Sequence, residues 1–280
     1  MNHQATIGLA VGLATTAYVF RRYFMVVPAA RPCRVLPRNE LQLHCKSTST
    51  LELEIKVLED SKLEHAKDQA LNSRAFSSYL MCAWWLDGVS ISRPRLLQIM
   101  DFMGLCVRSI CLNNGGFALC ANNTVGDMVA SCRVAYYNRT EANQDDWIVL
   151  RGLFNGEIGL PWFALCFPSR KFFKRMTRSM NAMESNRLVV VKELDEYLYL
   201  IHLATDPEKQ RTGAGTKLLQ AIALIADERQ LPVYLETDCP KLRRFYENNG
   251  FEVKVNYVVE DEDDPFLVNF GMLRQPQKKE

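Results

Sequence analysis

No C-x-x-C pair occurs in this 280-residue chain, although it holds nine cysteines: Cys33, Cys45, Cys82, Cys106, Cys111, Cys120, Cys132, Cys166 and Cys239. An odd set of scattered thiols excludes a closed disulfide framework, offers no zinc-ligand spacing, and fits a reducing compartment. The sequons at Asn122 and Asn138 are then chance matches, because glycosylation needs a secretory lumen. Charge of one sign is also scarce: 34 Lys and Arg against 32 Asp and Glu leave a net +2. No basic field marks nucleic acid as a partner. There is no internal repeat, and no low-complexity tract beyond the acidic run from Glu260 to Asp264, which reads as a solvated hairpin loop.

Acidic residues are absent before Glu40, while Arg21, Arg22, Arg31, Arg34 and Arg38 follow the apolar stretch "TIGLAVGLATTAYVF". Residues 1–30 therefore read as an anchoring or targeting segment. The run from Ile7 to Phe20 falls short of the roughly 20 residues of a comfortable membrane span. Arg21 and Arg22 can snorkel while "YFMVV" extends the apolar length. If this segment spans, its C-terminal arginines predict a membrane-anchored protein with its globular part in the cytosol. A mitochondrial presequence is the alternative, since the region bears arginine and lacks acids; a leader helix packed on the domain is a third reading. Prolines and a "KSTST" run without apolar period make residues 31–50 a linker. The folded domain is expected over residues 51–275, with residues 276–280 as a polar tail.

What is present suits an ordinary globular core, with 48% apolar and 24% charged residues. "LELEIKVLE" alternates as a strand, and "DSKLEHAKDQALNSRAF" brings a capping start and helical spacing. Arg93 to Cys111 is a second helical stretch. "GGFALCAN" and "DMVASCRVAYY" read as strands joined through "NNTVG". After an aromatic segment, "SRKFFKRMTRSMNAMES" is helical. A strand at Tyr197 to Ala204, a helix from about Gly213 to Arg229, the strand "VYLET", a short helix "PKLRRFYENNG" with Gly250 as its stop, and the strands "FEVKVNYVV" and "FLVNFGMLR" complete the chain. Strands and helices alternate, so the class is α/β or α+β with a mixed sheet.

The segment "QRTGAGTKLL" joins a strand to a helix. Amides at such a junction point at an anion, the helix dipole adds about half a positive charge there, and glycine lets a phosphate approach closely. Glycines 213 and 215 serve equally to pack the helix on the sheet. The order Gly215, Thr216, Lys217 does not meet the triphosphatase pattern. Leu218 stands where the dinucleotide fingerprint needs glycine.

The strand "LYLIHLATDP", then Gln210-x-x-Gly213-x-Gly215, an amphipathic helix, "VYLET" and "FYENNGFEV" resemble the GNAT N-acetyltransferase superfamily over Tyr197 to Val255. "PVYLETDCPKLRRFYENNGFEV" looks most like its puromycin acetyltransferase-like branch. The resemblance implies a GNAT fold whose mostly antiparallel mixed sheet splays between the strands ending near Ala204 and Glu236. It implies acetyl-CoA as acyl donor, with no metal. The amides of Gln210, Arg211, Thr212, Gly213, Ala214, Gly215 and Thr216 would bind its pyrophosphate, and the backbone of His202, Leu203 and Ala204 would pair with pantetheine. Tyr246 falls on the family's general-acid tyrosine, although by residue type alone it reads as an aromatic packed at a helix end. Leu242 departs from the family's asparagine, flanked by Arg243 and Arg244; with Lys209 and Arg211, Arg244 is a candidate extra phosphate contact.

Acetyl transfer needs a neutral amine, and freeing an alkyl amine of its proton at pH 7 costs about 4 to 5 kcal/mol. Glu184 is the candidate base, or else an organiser of the acceptor site. Glu236 reads equally as a base or as a structural hydrogen-bond partner, and His202, between leucine and isoleucine, as a core histidine. The aromatics Phe154, Trp162, Phe163, Phe167, Phe172 and Phe173 are core or line an apolar acceptor pocket. The expected function is acetyl transfer to the primary amine of a small molecule. A protein amine is the alternative acceptor, and a non-catalytic acyl-CoA-binding module the alternative class; the oligomeric state is not legible.

Overall fold

The computed structural model describes residues 33–59, 61–77, 79–87, 92–139, 169–261 and 264–278. Residues 1–30, expected to anchor or target the chain, lie outside them, as do Phe154, Trp162, Phe163, Phe167 and the side chain of Phe173. Among the described residues no helix is long and apolar enough to cross a membrane.

The elements run α1 (Arg38–Thr48), β1 (Leu53–Val57), α2 (Lys62–Phe76), α3 (Leu80–Leu86), α4 (Arg93–Asn113), β2 (Phe117–Asn123), β3 (Met128–Asn138), α5 (Arg170–Val191), β4 (Glu196–Thr205), α6 (Ala214–Arg229), β5 (Val233–Thr237), α7 (Pro240–Glu247), β6 (Glu252–Asp261) and β7 (Asp264–Arg274). Local chemistry sets several boundaries. The Ser61 hydroxyl accepts from the Glu64 amide at 3.2 Å and opens α2; Ser169 does the same for α5 through the Phe172 amide at 3.0 Å. At the β2–β3 turn the Asn123 side chain accepts from the amides of Val125 and Asp127, and Gly126 takes the left-handed φ of 86°.

The strands form one sheet in the order β1-β2-β3-β4-β5-β7-β6. All neighbours are antiparallel except β4 and β5. On one face α6 buries Leu218, Leu219, Ile222 and Ile225 against Leu119, Val134, Leu198 and Val233. On the other, α2 and α4 lie over β3 and β4, and α5 over β6 and β7.

Residues 38–48 depart from the linker expectation and form α1. This helix buries Leu41 and Cys45 in the main core beside α6 and β1, and its Gln42 side chain accepts from the Val57 amide at 3.1 Å. The serine- and threonine-rich run that reads as a linker instead ends the helix. Ser47 bonds back to the His44 carbonyl, and Thr48 and Ser49 to that of Cys45. The described cysteines, Cys33, Cys45, Cys82, Cys111, Cys120, Cys132 and Cys239, carry free thiols.

Candidate active site

After β4 the Asp206 side chain accepts from the Glu208 amide at 3.0 Å and starts a single 3₁₀ turn, Pro207–Lys209. Gln210 is extended, and Arg211 and Gly213 then both take left-handed backbone, at φ 66° and 84°. Gly213 is the N-cap of α6, so the residue that opens the helix needs a conformation a Cβ would strain. No side chain caps this helix start, and no acid lies in its first turn. Left-handed residues of this kind occur in turns whose successive backbone amides form anion nests. A Cβ placed at Gly215 would meet Phe245 and Thr205 at 3.5 Å, ordinary contact distance, so internal packing does not by itself require glycine here.

Strands β4 and β5 pair only at Leu198–Val233, Tyr199–Tyr234 and Leu200–Leu235. Beyond Leu200, β4 stays with β3 as far as Thr205, while Glu236 and Thr237 stay with β7. The two strands thus part, as expected, and leave the polar edge of His202, Leu203 and Ala204 facing the gap. A bulge opposite Arg133 and Val134 shifts the register, so that His202 pairs with Arg133 and points to the α2 face. His202 is buried with its ring edge-on to Phe76 at 5.7 Å. Burial, with Arg133 adding to it and Asp68 opposing, pushes its proton affinity down to about 4. It is a neutral histidine inside the core and a poor base near pH 7.

Tyr246 lies on α7 and is buried in the main core, against the rings of Phe245 and Phe251 at 5.3 and 5.8 Å. Burial pushes its phenol well above the ordinary value, with the nearby Cys132 adding to the effect. The hydroxyl therefore keeps its proton near pH 7 and is available as a hydrogen-bond donor. Leu242 packs against the main core. Arg243 is engaged with Glu247 at 2.8 Å and stacks over Phe270 at 5.2 Å. Arg244, Lys209 and Arg211 are exposed around the loop.

The two carboxylates differ sharply in environment. Glu184, on α5, takes the Nε and Nη2 groups of Arg187 at 2.9 and 2.5 Å. Arg187 is buried, donates to the Tyr197 hydroxyl at 2.5 Å, and lies over the rings of Tyr137 and Tyr199 at 4.4 and 5.3 Å. One turn of α5 thus ties Glu184 to a structural cation. Glu236 instead accepts from the hydroxyls of Tyr199 at 2.8 Å, Tyr234 at 2.9 Å and Tyr257 at 3.4 Å. Burial pushes its carboxyl up to about 7, while the Tyr199 and Tyr234 bonds pull the other way. Across the ladder from Glu236 stands Gly271, where a Cβ would come within 2.6 Å of Val255 Cγ1 and 2.9 Å of the Tyr234 hydroxyl. That glycine makes room for a bond to the carboxylate.

The tyrosines around Glu236 come from three strands, and sequence reasoning did not gather them. A local signal exists: Tyr197 and Tyr199 share one face of β4, and Tyr234 and Glu236 share one face of β5. Phe172, a candidate pocket residue, is core, edge-on to Trp85 at 6.0 Å.

A family model described as an acetyltransferase (GNAT) domain matches residues 184–253. An uncharacterised N-acetyltransferase of Schizosaccharomyces pombe is 27% identical over 138 residues, 48% of this chain and 53% of that protein. The chain thus matches about half the length of this curated relative. Two crystal structures from Aedes aegypti share the fold. Arylalkylamine N-acetyltransferase 2 has a TM-score of 0.55 at 12% identity, covering 80% of this chain and 99% of its own. Putative arylalkylamine N-acetyltransferase 7 has a TM-score of 0.53 at 12% identity, covering 80% and 87%.

Proposed function

The chain carries a domain of the GNAT acetyltransferase superfamily, and from this premise we propose that it is an acetyl-CoA-dependent N-acetyltransferase acting on a primary amine of a small molecule. The observation that carries the reading is one arrangement. An uncapped helix start with a left-handed loop lies at one end of a gap between parting strands, and a protonated phenol and a carboxyl titrating near neutrality flank that gap.

In this reading the amides of Gln210 to Thr216 take the pyrophosphate and the free edge of β4 from His202 to Ala204 takes pantetheine, so the thioester lies between β4 and β5. Glu236, with a proton affinity near the working pH, accepts the proton of the incoming ammonium. The amine nitrogen attacks the thioester carbon and the C–N bond forms; the C–S bond breaks as the proton of Tyr246 goes to the departing sulfur, and the second proton lost by the nitrogen restores the Tyr246 phenol. Glu184 holds Arg187 beneath the tyrosines and is assigned to organising the acceptor side; the base is assigned to Glu236. Residues 1–30 are proposed to hold the protein at a membrane.

Calorimetric titration with acetyl-CoA and CoA, followed by thiol release against a panel of amines, tests the reading. Micromolar binding with amine-dependent release of thiol is expected. Binding without release across primary amines would overturn the catalytic assignment.

A further inference from the structure

Arg187, on α5, is only 4% exposed. Its guanidinium donates to the Glu184 carboxylate and to the Tyr197 hydroxyl, each at 2.5 Å, and lies 4.4 Å from the centre of the Tyr137 ring. Tyr137 and Tyr197 are stacked on each other at 5.2 Å and 8°. A third ring, Tyr199, has its centre 5.3 Å from the same guanidinium, and its hydroxyl donates to Glu236 at 2.8 Å. One phenol thus carries a buried cation on its face and the Glu236 carboxyl at its hydroxyl. The ion pair with Glu184 does not account for this placement. The Glu184 side chain is 46% exposed, so solvent weakens its hold, and a guanidinium taken this far from water is costly.

The groups that act on Glu236 come from several elements: the hydroxyls of Tyr199 on β4, Tyr234 on β5 and Tyr257 on β6, and the charges of Arg187 and Glu184 on α5. Strand β7 presents Gly271, and Asp238 acts on Tyr257 from the end of β5. The field of Arg187 opposes the effect of burial on Glu236, and that of Glu184 adds to it.

We infer that Arg187 is a positioning residue for acetyl transfer: across the Tyr199 ring it fixes the phenol that meets Glu236 and supplies the positive field in which that acid ionises. The inference rests on the acetyltransferase reading and its assignment of the base to Glu236. The charge of Arg187 favours the carboxylate, the form that takes the proton of the ammonium, and its stacking holds the Tyr199 hydroxyl as a donor to that carboxylate. Glu184 attenuates the field. Removing the arginine charge and removing the glutamate charge must therefore move Glu236 in opposite directions.

The test is a pair of titrations on the full chain. One follows kcat/KM against pH at limiting amine; the other follows the Glu236 carboxyl by carbon-13 NMR, with Glu236→Gln to assign the signal. In Arg187→Met both are expected to move up by about one pH unit, as for a carboxylate that loses a nearby opposite charge. The rate then falls about 5-fold at pH 7 and recovers near pH 9, whereas a purely structural loss lowers it at every pH and leaves the limb in place. Arg187→Lys, which keeps the charge, restores the position of the limb. Glu184→Gln, an exposed substitution that suits the helix, is expected to move both titrations down by about half a pH unit, and decides alone if Arg187→Met does not fold. A carboxyl titration unmoved in these variants, or moved the same way in both, would overturn the inference. Titrations that move as expected while Glu236→Gln keeps the wild-type rate would overturn the base assignment alone and leave the action of Arg187 on Glu236 standing.

Discussion

At the scale of single residues the chemistry turns on how differently two glutamates are held. Glu184 accepts from the guanidinium of Arg187, while Glu236 accepts from three phenols. With its carboxyl pushed up to about 7, Glu236 ionises across the physiological range. At limiting amine, kcat/KM is therefore expected to rise with pH through about 7, and Glu236→Gln to lose about 10²- to 10⁴-fold and flatten that limb of the pH profile. The linked stability runs in the opposite direction. A carboxyl whose folded proton affinity exceeds its unfolded value binds more protons when folded, so between about 4.5 and 7 stability falls as pH rises. Glu236→Gln should thus gain stability relative to the wild type at pH 8 and lose that gain at pH 5, measured by denaturant melts. For Tyr246→Phe we expect a drop in kcat of about 10²-fold with acetyl-CoA affinity retained; equal rates in variant and wild type would remove Tyr246 from the reaction.

At the scale of elements, α1 ties the approach to the domain onto the core. Leu41 and Cys45 are buried where α1 meets β1 and α6, the helix that follows the left-handed loop. Leu41→Ala is expected to cost about 2 to 5 kcal/mol by chemical denaturation, as for other buried leucines truncated to alanine. An effect below about 0.5 kcal/mol would mark α1 as an appendage. The helix is hard to see in the sequence, because its apolar face is narrow and its last turn is built of serine and threonine that bond back to their own carbonyls. By contrast, the segments from Tyr197 onward are legible almost to the residue: period-two strands, an amphipathic helix, and glycines at positions 213 and 250 whose positive φ explains both the helix start and the later stop.

At the scale of the whole molecule, the proposed site draws on parts that the chain keeps apart: the loop before α6, a phenol on α7, and a carboxyl that only the assembly of β4, β5 and β6 surrounds with tyrosine. The proposed anchor belongs to this scale too. The full-length protein is expected in the membrane fraction after lysis, and the chain lacking residues 1–30 in the soluble fraction; full-length protein left wholly soluble would remove the anchor. The sequence by itself determined the alternation of strands and helices, the loop that opens α6 and the place of Tyr246. Each is written in contiguous residues, through periodicity, glycine conformation or a local motif. Only the tertiary structure decided how differently Glu184 and Glu236 are surrounded. Proton affinity depends on burial and on donors brought from other strands, and the ion pair with Arg187, the three phenols and the space left by Gly271 come together only when the sheet is built.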